Sequence, residues 1–478
     1  MTTYASSGLN VRLPDFAFAL LGWVVGGFML AATLSVQTAS AETSRPVHQF
    51  TLPNGMKAVV IPDRRAPVVT HMVWYRVGAA DEPIGQSGIA HFLEHLMFKA
   101  TDTIPTGEFS KRVARLGGQD NAFTSQDATA YFQRISREHL GTVMSMEADR
   151  MVNLRLDDKE VLTERDVILE ERRQRVENSP SSLLNEQMDA ALYLGHPYGI
   201  PVIGWMHEMA VLSRQNALDF YKQHYGPNNA ILIVAGDVTV EEVKKLAEQT
   251  YGKVQANPAI VERKRVQEPP QRAPRRITLT DENVGQPSWR RYYHAPSYQS
   301  ATDGDAEALD LMMKVFASGT TSQLYQSLVV DQKIAASVSG YYAGYGLDTG
   351  KMVLAVTPAK GVSLEDIEAA VDTEIAKFIA EGATPADIER ARNVYTAEYI
   401  YETDSQSSLA RRYGWGLVVG STVEQIDRWP DALAKVTADD VKRVASKYFN
   451  INASVTGKLL PAAPGTVERR AAAKPNRS

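Results

Sequence analysis

The chain of 478 residues contains no cysteine, which excludes disulfide bonds and thiolate metal sites. It also lacks an excess of positive charge, because 51 Lys and Arg residues stand against 56 Asp and Glu residues and give a formal net charge of -5. Without a basic excess to neutralise phosphates, the composition argues against a nucleic-acid-binding protein. Hydrophobic residues make up 44% of the chain, enough for large cores in two or more domains. Because the chain has no cysteine, any metal must be bound by histidine nitrogen and carboxylate oxygen.

The N-terminal segment is typical of a secretory signal peptide. Arg12 precedes an uncharged, largely apolar run from Phe16 to Val36, and Ala39-Ser40-Ala41 follows as a small-residue cleavage site. We therefore expect residues 1–41 to be removed and the folded part to be exported, to the periplasm if the chain is bacterial. The apolar run is also long enough to span a bilayer, so an uncleaved inner-membrane anchor over residues 16–36 is the alternative.

Two histidines and a glutamate fall within two turns of one predicted helix, in the sequence Ala90-His91-Phe92-Leu93-Glu94-His95-Leu96-Met97. At about 100° per residue, His91, Glu94 and His95 share one face, and the apolar residues form the opposite face. Imidazole nitrogens suit Zn²⁺, and a carboxylate beside the ion can accept a proton from water. The His-x-x-Glu-His order is the reverse of the commoner zinc-peptidase motif. The pattern predicts two metal ligands, His91 and His95, and a catalytic base, Glu94.

A catalytic zinc site needs a third protein ligand, which this motif does not supply. A charged helix predicted over residues 158–176 offers candidates, since Glu164 and Glu171 lie seven residues apart and share a face, whereas Glu170 is turned about 100° away. A glutamate on such a helix is by default solvated. The residue types alone therefore leave the third ligand open.

The stretch from Gly88 to Lys99, taken with Glu164-Arg165-Asp166-Val167-Ile168-Leu169-Glu170-Glu171, closely resembles the pitrilysin and insulinase family (M16) of zinc metallopeptidases. The nearer match is the branch that contains mitochondrial processing peptidase and its bacterial relatives. The resemblance implies one Zn²⁺ per chain, with Glu171, 76 residues beyond His95, as the third ligand. It also implies that Glu164 is a catalytic acidic residue that orients a ligand or the water.

A second stretch, Asn121-Ala122-Phe123-Thr124, resembles the substrate-docking edge strand of the same family. There a peptide lies as an added strand next to the metal. The residue types alone favour an ordinary hairpin. The resemblance therefore implies that Asn121, Ala122, Phe123 and Thr124 bind substrate.

The two halves of the chain end alike. A capped amphipathic helix leads into an apolar strand that stops at glycine in residues 212–236 and again in 436–457, and Asn229 and Asn452 are 223 residues apart. We predict an α+β fold of two homologous α/β-roll domains, each an antiparallel sheet with helices on one face, and the resemblance implies that they face each other across a chamber. The predicted parts are a signal peptide (1–41), a metal-bearing domain (46–255), a charged, proline-rich linker (256–276), a second domain without metal (277–460) and a disordered tail (461–478).

The resemblance implies a zinc metalloendopeptidase that cleaves short to medium unfolded peptides inside an enclosed chamber. Active relatives hold the scissile carbonyl with an Arg and a Tyr of the opposite half, but Tyr341, Tyr342 and Tyr345 have no arginine beside them in the sequence. We therefore expect a homodimer, or a heterodimer in which a related subunit supplies that pair and this chain is inactive alone. A non-catalytic scaffold subunit and a metal-binding chaperone for peptides are the alternatives.

Overall fold

The computed structural model describes residues 46–462, so the predicted signal peptide and nearly all of the predicted tail lie outside the described residues. The strands are β1 His48–Thr51, β2 Lys57–Pro62, β3 Val68–Tyr75, β4 Ala100–Thr101, β5 Gln119–Thr124, β6 Thr129–Ser136, β7 Leu154–Arg155, β8 Ala230–Gly236, β9 Arg275–Asp281, β10 Ser288–Pro296, β11 Ala335–Ala343, β12 Thr349–Pro358 and β13 Ser454–Pro461. The α-helices are α1 Ile89–Leu96, α2 Glu108–Arg115, α3 Leu140–Arg150, α4 Asp158–Arg172, α5 Pro180–Leu192, α6 Met206–Met209, α7 Arg214–His224, α8 Val240–Gln249, α9 Asp305–Phe316, α10 Gln323–Tyr325, α11 Leu364–Glu381, α12 Pro385–Asp404, α13 Gln406–Val418, α14 Val423–Asp427, α15 Trp429–Lys435 and α16 Ala438–Tyr448. Every helix within residues 46–462 is too short or too polar to cross a bilayer.

The two large sheets repeat one topology. The first has the strand order β1-β2-β8-β3-β6-β5, and the second has β9-β13-β10-β12-β11. Each contains one parallel pair, β2 with β8 and β9 with β13, and the remaining pairs are antiparallel. The matching pairings show that the halves are copies of one fold, as the repeated helix and strand predict.

The central strands of each sheet are covered on both faces, because a helix of the other half packs on the face that the sheet's own helices leave open. The first sheet packs on one face against its own helices, α1, α3, α7 and α8, and on the other face against α13 of the second half. The second sheet packs in turn against α5 of the first half. This explains why every residue of β8 is buried, with an apolar run in place of an alternating pattern.

Two glycines allow the helices to come this close. A Cβ on Gly414 of α13 would lie 2.1 Å from the ring of Trp74, and one on Gly457 of β13 would lie 2.3 Å from the sulfur of Met188 on α5. Both distances are far below van der Waals contact. A larger residue at either position would therefore push the covering helix off its sheet.

The connection between the halves has no helix or strand from residue 256 to 274, but side chains hold it in place. Arg265 is buried between Asp81 and Asp127 of the first half, 2.8 Å from the Asp127 carboxylate. Glu268 accepts hydrogen bonds of 2.7 to 3.1 Å from the backbone N–H groups of residues 194 to 196. The linker is thus tied to the first half, and its exact boundaries stay a prediction.

Candidate metal centre

Helix α1 is fixed at its start by a carboxylate and a glycine. Glu82 accepts hydrogen bonds of 2.9 Å from the backbone N–H groups of Gly88 and Ala90, which satisfies donors that a helix leaves free at its N-terminus. Gly88 has φ of 87°, and a Cβ there would lie 2.7 Å from the carbonyl oxygen of Ile203. The apolar face of α1, including Phe92 and Leu93, is fully buried. The polar face is therefore held in one orientation.

The structure brings His91, His95 and Glu171 together. Nε2 of His91 lies 3.6 Å from Oε2 of Glu171, and Nε2 of His95 lies 3.4 Å from the same oxygen. In a tetrahedral zinc site with bonds of about 2.1 Å, ligand atoms are about 3.4 Å apart. Among residues 46–462 this is the one cluster of three such side chains that fits a metal ion. Its donor set and spacing suit zinc.

The two histidines differ in their electrostatics. Burial, and then the neighbouring His95, lower the pKa of His91 to about 4, so its ring is neutral and can donate a lone pair. Burial also lowers the pKa of His95, but hydrogen bonds to Glu164 and Glu171 outweigh it and raise the value to about 9. A cation that binds Nε2 of His95 has to displace a proton from it, so acid weakens binding.

Glu164 lies behind His95 and fixes its orientation. Nδ1 of His95 donates a hydrogen bond of 2.8 Å to Glu164, and Nζ of Lys99 lies 2.6 Å from the other carboxylate oxygen. The hydrogen bond from His95, together with Lys99, holds the pKa of Glu164 at about 2. The carboxylate stays ionised and keeps Nε2 of His95 directed at Glu171. Carboxylates in this position are typical of the surroundings of metal-binding histidines.

Glu94 is buried on the same face of α1. The hydroxyl of Thr124 donates a hydrogen bond of 2.6 Å to Oε2 of Glu94. Burial raises the pKa of Glu94, while this hydrogen bond lowers it. A carboxylate whose pKa is raised toward neutrality is suited to accept and return a proton.

The predicted docking residues lie on β5, the last strand of the first sheet. In the described part of the chain β5 pairs only with β6, so its other edge is free to accept a strand. Thr124 faces α1, whereas Phe123 faces α13 and contacts Trp415 with 5.5 Å between ring centroids. Asn121 is exposed, and Ala122 is half-buried. The strand therefore touches the proposed catalytic carboxylate through one of its four predicted residues.

Helix α4 supplies Glu164 and Glu171, and Glu170 points elsewhere. Glu170 is exposed and pairs with Arg173 at 3.1 Å. The helix was predicted to run to residue 176, but the α-helix ends at Arg172 and continues as a π-helical turn, Arg173–Glu177. Such turns are frequent at functional sites.

Two cations of the site were not singled out from the sequence. Lys99 pairs with Glu164, and Arg175 lies 2.6 Å from Oε1 of Glu171. Lys99 follows His95 by four residues, and Arg175 follows Glu171 by four. A spacing of four indicates neighbouring side chains only while the α-helix continues, and α1 ends at Leu96 and α4 at Arg172, so both cations come from the turns that follow these helices.

Comparison with known proteins matches both halves to one family. A family model described as Insulinase (Peptidase family M16) matches residues 57–204, and one described as Peptidase M16 inactive domain matches residues 212–395. The zinc protease PqqE of Helicobacter pylori is 30% identical over 424 residues, covering 88% of this chain and 94% of the relative. A probable mitochondrial-processing peptidase subunit beta of Arabidopsis thaliana is 27% identical, covering 84% of this chain and 75% of the relative.

Comparison with solved structures points to the same family as the sequence comparison. The crystal structure of a protease from Helicobacter pylori has a TM-score of 0.81 at 29% identity, and the match covers 87% of this chain and 100% of that chain. The predicted fold class of two homologous α/β-roll domains is confirmed. The chain belongs to peptidase family M16, the insulinase family, which confirms the resemblance of residues 88–99 and 164–171 to that family.

Proposed function

We propose that the chain is a zinc-dependent endopeptidase that cleaves short to medium unfolded peptides. The observation that carries this proposal is the convergence of His91, His95 and Glu171 next to Glu94, beside a strand with a free edge. The relatives named zinc proteases support the choice of metal. One Zn²⁺ would be held by the two Nε2 atoms and the Glu171 carboxylate.

Each side chain of the site has its own role in the proposed reaction. Zinc held there would polarise the peptide carbonyl and make water a better nucleophile near neutral pH. Glu94 accepts the proton of the attacking water and then donates it to the leaving amine. Glu164 holds His95 in position through Nδ1, and Lys99 keeps Glu164 ionised. Thr124 holds the Glu94 carboxylate in place.

The substrate lies extended along the free edge of β5. Its backbone continues the ladder of the first sheet, which gives affinity without requiring one sequence. Strand addition needs an unfolded segment, because a folded protein has already paired its backbone groups. The scissile bond then lies near Thr124, the β5 residue that contacts Glu94.

Among residues 46–462, the side chains that contact Glu94, the two histidines and Glu171 include no arginine or tyrosine of the second half. We therefore extend the proposal to a dimer, formed by two copies or with a related subunit, that supplies them. The match of residues 212–395 to a model named for an inactive domain supports a non-metal role for the second half. Export to the periplasm stays a prediction from residues 1–41.

A chelator experiment tests the function. The purified chain is incubated with an unfolded peptide of about 20 residues, alone, with a chelator, and with zinc restored, and the products are identified by mass spectrometry. We expect internal cleavage that the chelator abolishes and zinc restores. Binding without cleavage in all three samples would favour a scaffold or chaperone, and cleavage only after addition of a native partner would establish the heterodimer.

A further inference from the structure

A cavity of about 610 Å³ lies in the second half where α12 and α13 meet the loop after β11. Aromatic side chains form much of its wall: Tyr345, Tyr395, Tyr399, Trp415 and Trp429. Trp415 also packs on Phe123 of β5, with 5.5 Å between ring centroids. The cavity therefore adjoins the strand on which a peptide is proposed to lie, on the face opposite Glu94.

Arg411 lines this cavity and stacks on the same strand pair. Its guanidinium carbon lies 5.1 Å from the ring centroid of Phe123 and 4.6 Å from that of Phe132. Arg411 precedes Trp415 by four residues, about one helical turn, so both side chains lie on one face of α13. Among the described residues, Arg411 forms no ion pair and no hydrogen bond, and burial lowers its pKa.

The other charged groups that line the cavity have partners. Arg412 lies 2.9 Å from Glu402, and Glu398 lies 2.7 Å from Lys314. Asp310 accepts a hydrogen bond from the hydroxyl of Tyr298. Arg411 is thus the charged lining group that has neither a hydrogen bond nor an ion pair within residues 46–462. A guanidinium stacked on aromatic rings keeps its planar N–H edge free for a carboxylate.

The geometry of strand addition brings a substrate side chain to Arg411. Adjacent strands lie about 4.8 Å apart, and directly paired residues project to the same face. A peptide residue paired with Phe123 would project toward α13, while its neighbour paired with Thr124 would project toward Glu94. The residue that reaches Arg411 is therefore next to the residue at the proposed catalytic carboxylate.

We propose that Arg411 is a specificity-determining residue that binds a carboxylate of the peptide lying along β5. This inference rests on the proposed function. The carboxylate belongs to an acidic side chain or to the C-terminus of a short peptide, since both present the same planar group. The aromatic wall beside Arg411 accommodates the apolar part of that residue.

Peptide scanning tests this assignment. Decapeptides carry Glu, Gln or Lys at one position at a time, each with a free or amidated C-terminus, and kcat and KM are measured for the zinc-loaded full chain. We expect wild type to prefer Glu to Gln by about tenfold at one position, mainly through KM, as for a charge-assisted bidentate pair. A preference that follows the free C-terminus instead identifies the terminal carboxylate as the ligand.

Variants of Arg411 locate the preference. Arg411→Gln keeps the stem and should bring the Glu to Gln ratio to about one, and Arg411→Glu should reverse it in favour of Lys. Arg411→Lys keeps the charge without the planar fork and should retain part of the preference. Arg428→Gln removes an arginine that is 73% exposed on the surface and serves as the matched control. Thermal unfolding of each variant checks that it is folded.

The outcomes separate this inference from the proposed function. A preference for Glu that persists in Arg411→Gln, or equal cleavage of all peptides by wild type, overturns the role of Arg411 while the peptidase stands. If wild type cleaves no peptide either alone or with its native partner, the proposed function fails. Peptide binding to Glu94→Gln, followed by fluorescence anisotropy, then still measures the charge preference and decides the role of Arg411.

Discussion

The hydroxyl of Thr124 lies 2.6 Å from Oε2 of Glu94 and donates a hydrogen bond to it. Thr124 belongs to the edge strand β5, and Glu94 belongs to the helix that carries both histidines. The strand proposed to bind peptide and the carboxylate proposed to move the proton are therefore directly coupled. A shift of one displaces the other.

Replacing Thr124 by Val should move the pH dependence of cleavage. The hydrogen bond from Thr124 lowers the pKa of Glu94 against the effect of burial, so its loss raises that pKa. Glu94 must be ionised to accept a proton, and a higher pKa requires a higher pH for activity. The acidic limb of the kcat/KM profile should therefore shift to higher pH. Thr124→Ser keeps the hydroxyl and should leave the limb in place; a limb unchanged in both variants would disconnect Thr124 from the base.

Replacing Glu94 by Gln should separate metal binding from turnover. Glu94 is not part of the His91, His95 and Glu171 cluster, so zinc should remain at one equivalent, while kcat should fall by about 10²–10⁴. His95→Ala should lose zinc as well as activity. Glu170→Gln, on the exposed face of α4, is the control for a charge change alone. Zinc content by elemental analysis and kcat on one peptide are the measurements, and a metal-free Glu94→Gln protein would contradict the assigned role.

Replacing Glu164 by Gln should weaken zinc binding about 10- to 100-fold, because loss of a partner behind a ligand has effects of that size. The carboxylate that accepts from Nδ1 of His95 is lost, and the ring is less firmly directed at the metal. Lys99→Met should give a smaller loss, since Lys99 acts only through Glu164. Competition with a chromophoric chelator measures the affinity. Equal affinity in wild type and Glu164→Gln would show that Glu164 does not position His95.

Replacing Arg265 by Met should destabilise the protein by about 3–5 kcal/mol, the range seen when one partner of a buried ion pair is removed. The side chain is 6% exposed, and its loss leaves Asp127 buried without its ion-pair partner and Asp81 with only the more distant Arg263, at 3.8 Å. The adjacent Lys264 is exposed, so Lys264→Met should change stability by no more than about 0.5 kcal/mol. Urea unfolding measures both. If the two variants unfold alike, the linker contributes little to stability.

The local pattern of the sequence predicts the elements of the site but not their surroundings. Helical periodicity places His91, Glu94 and His95 on one face, and the structure has them there because α1 has an apolar back to bury. Glu171 could be chosen over Glu170 only through the family resemblance, since both are glutamates on a charged helix. Their roles as ligands and base stay predictions that the variants above test.

Contacts between distant segments leave no local signal. Trp74 and Trp415 are in contact at 5.0 Å between ring centroids, yet they are 341 residues apart in sequence. The stacking of Arg411 on Phe123 depends on the same packing of α13 on the first sheet. No periodicity within α13 identifies which sheet it covers. The residues of α13 that pack on the edge strand β5 could therefore be identified only from the folded structure.

The reciprocal covering of the sheets by α5 and α13 makes each half depend on the other for its stability. Proteolytic cleavage within residues 256–274 would leave two fragments. Each fragment would still bind a helix of the other on its sheet, so we expect the cleaved protein to stay assembled. Either fragment synthesised alone would expose the apolar sheet face that the other half covers, and we expect it to aggregate. We therefore expect the two halves to unfold in one cooperative transition.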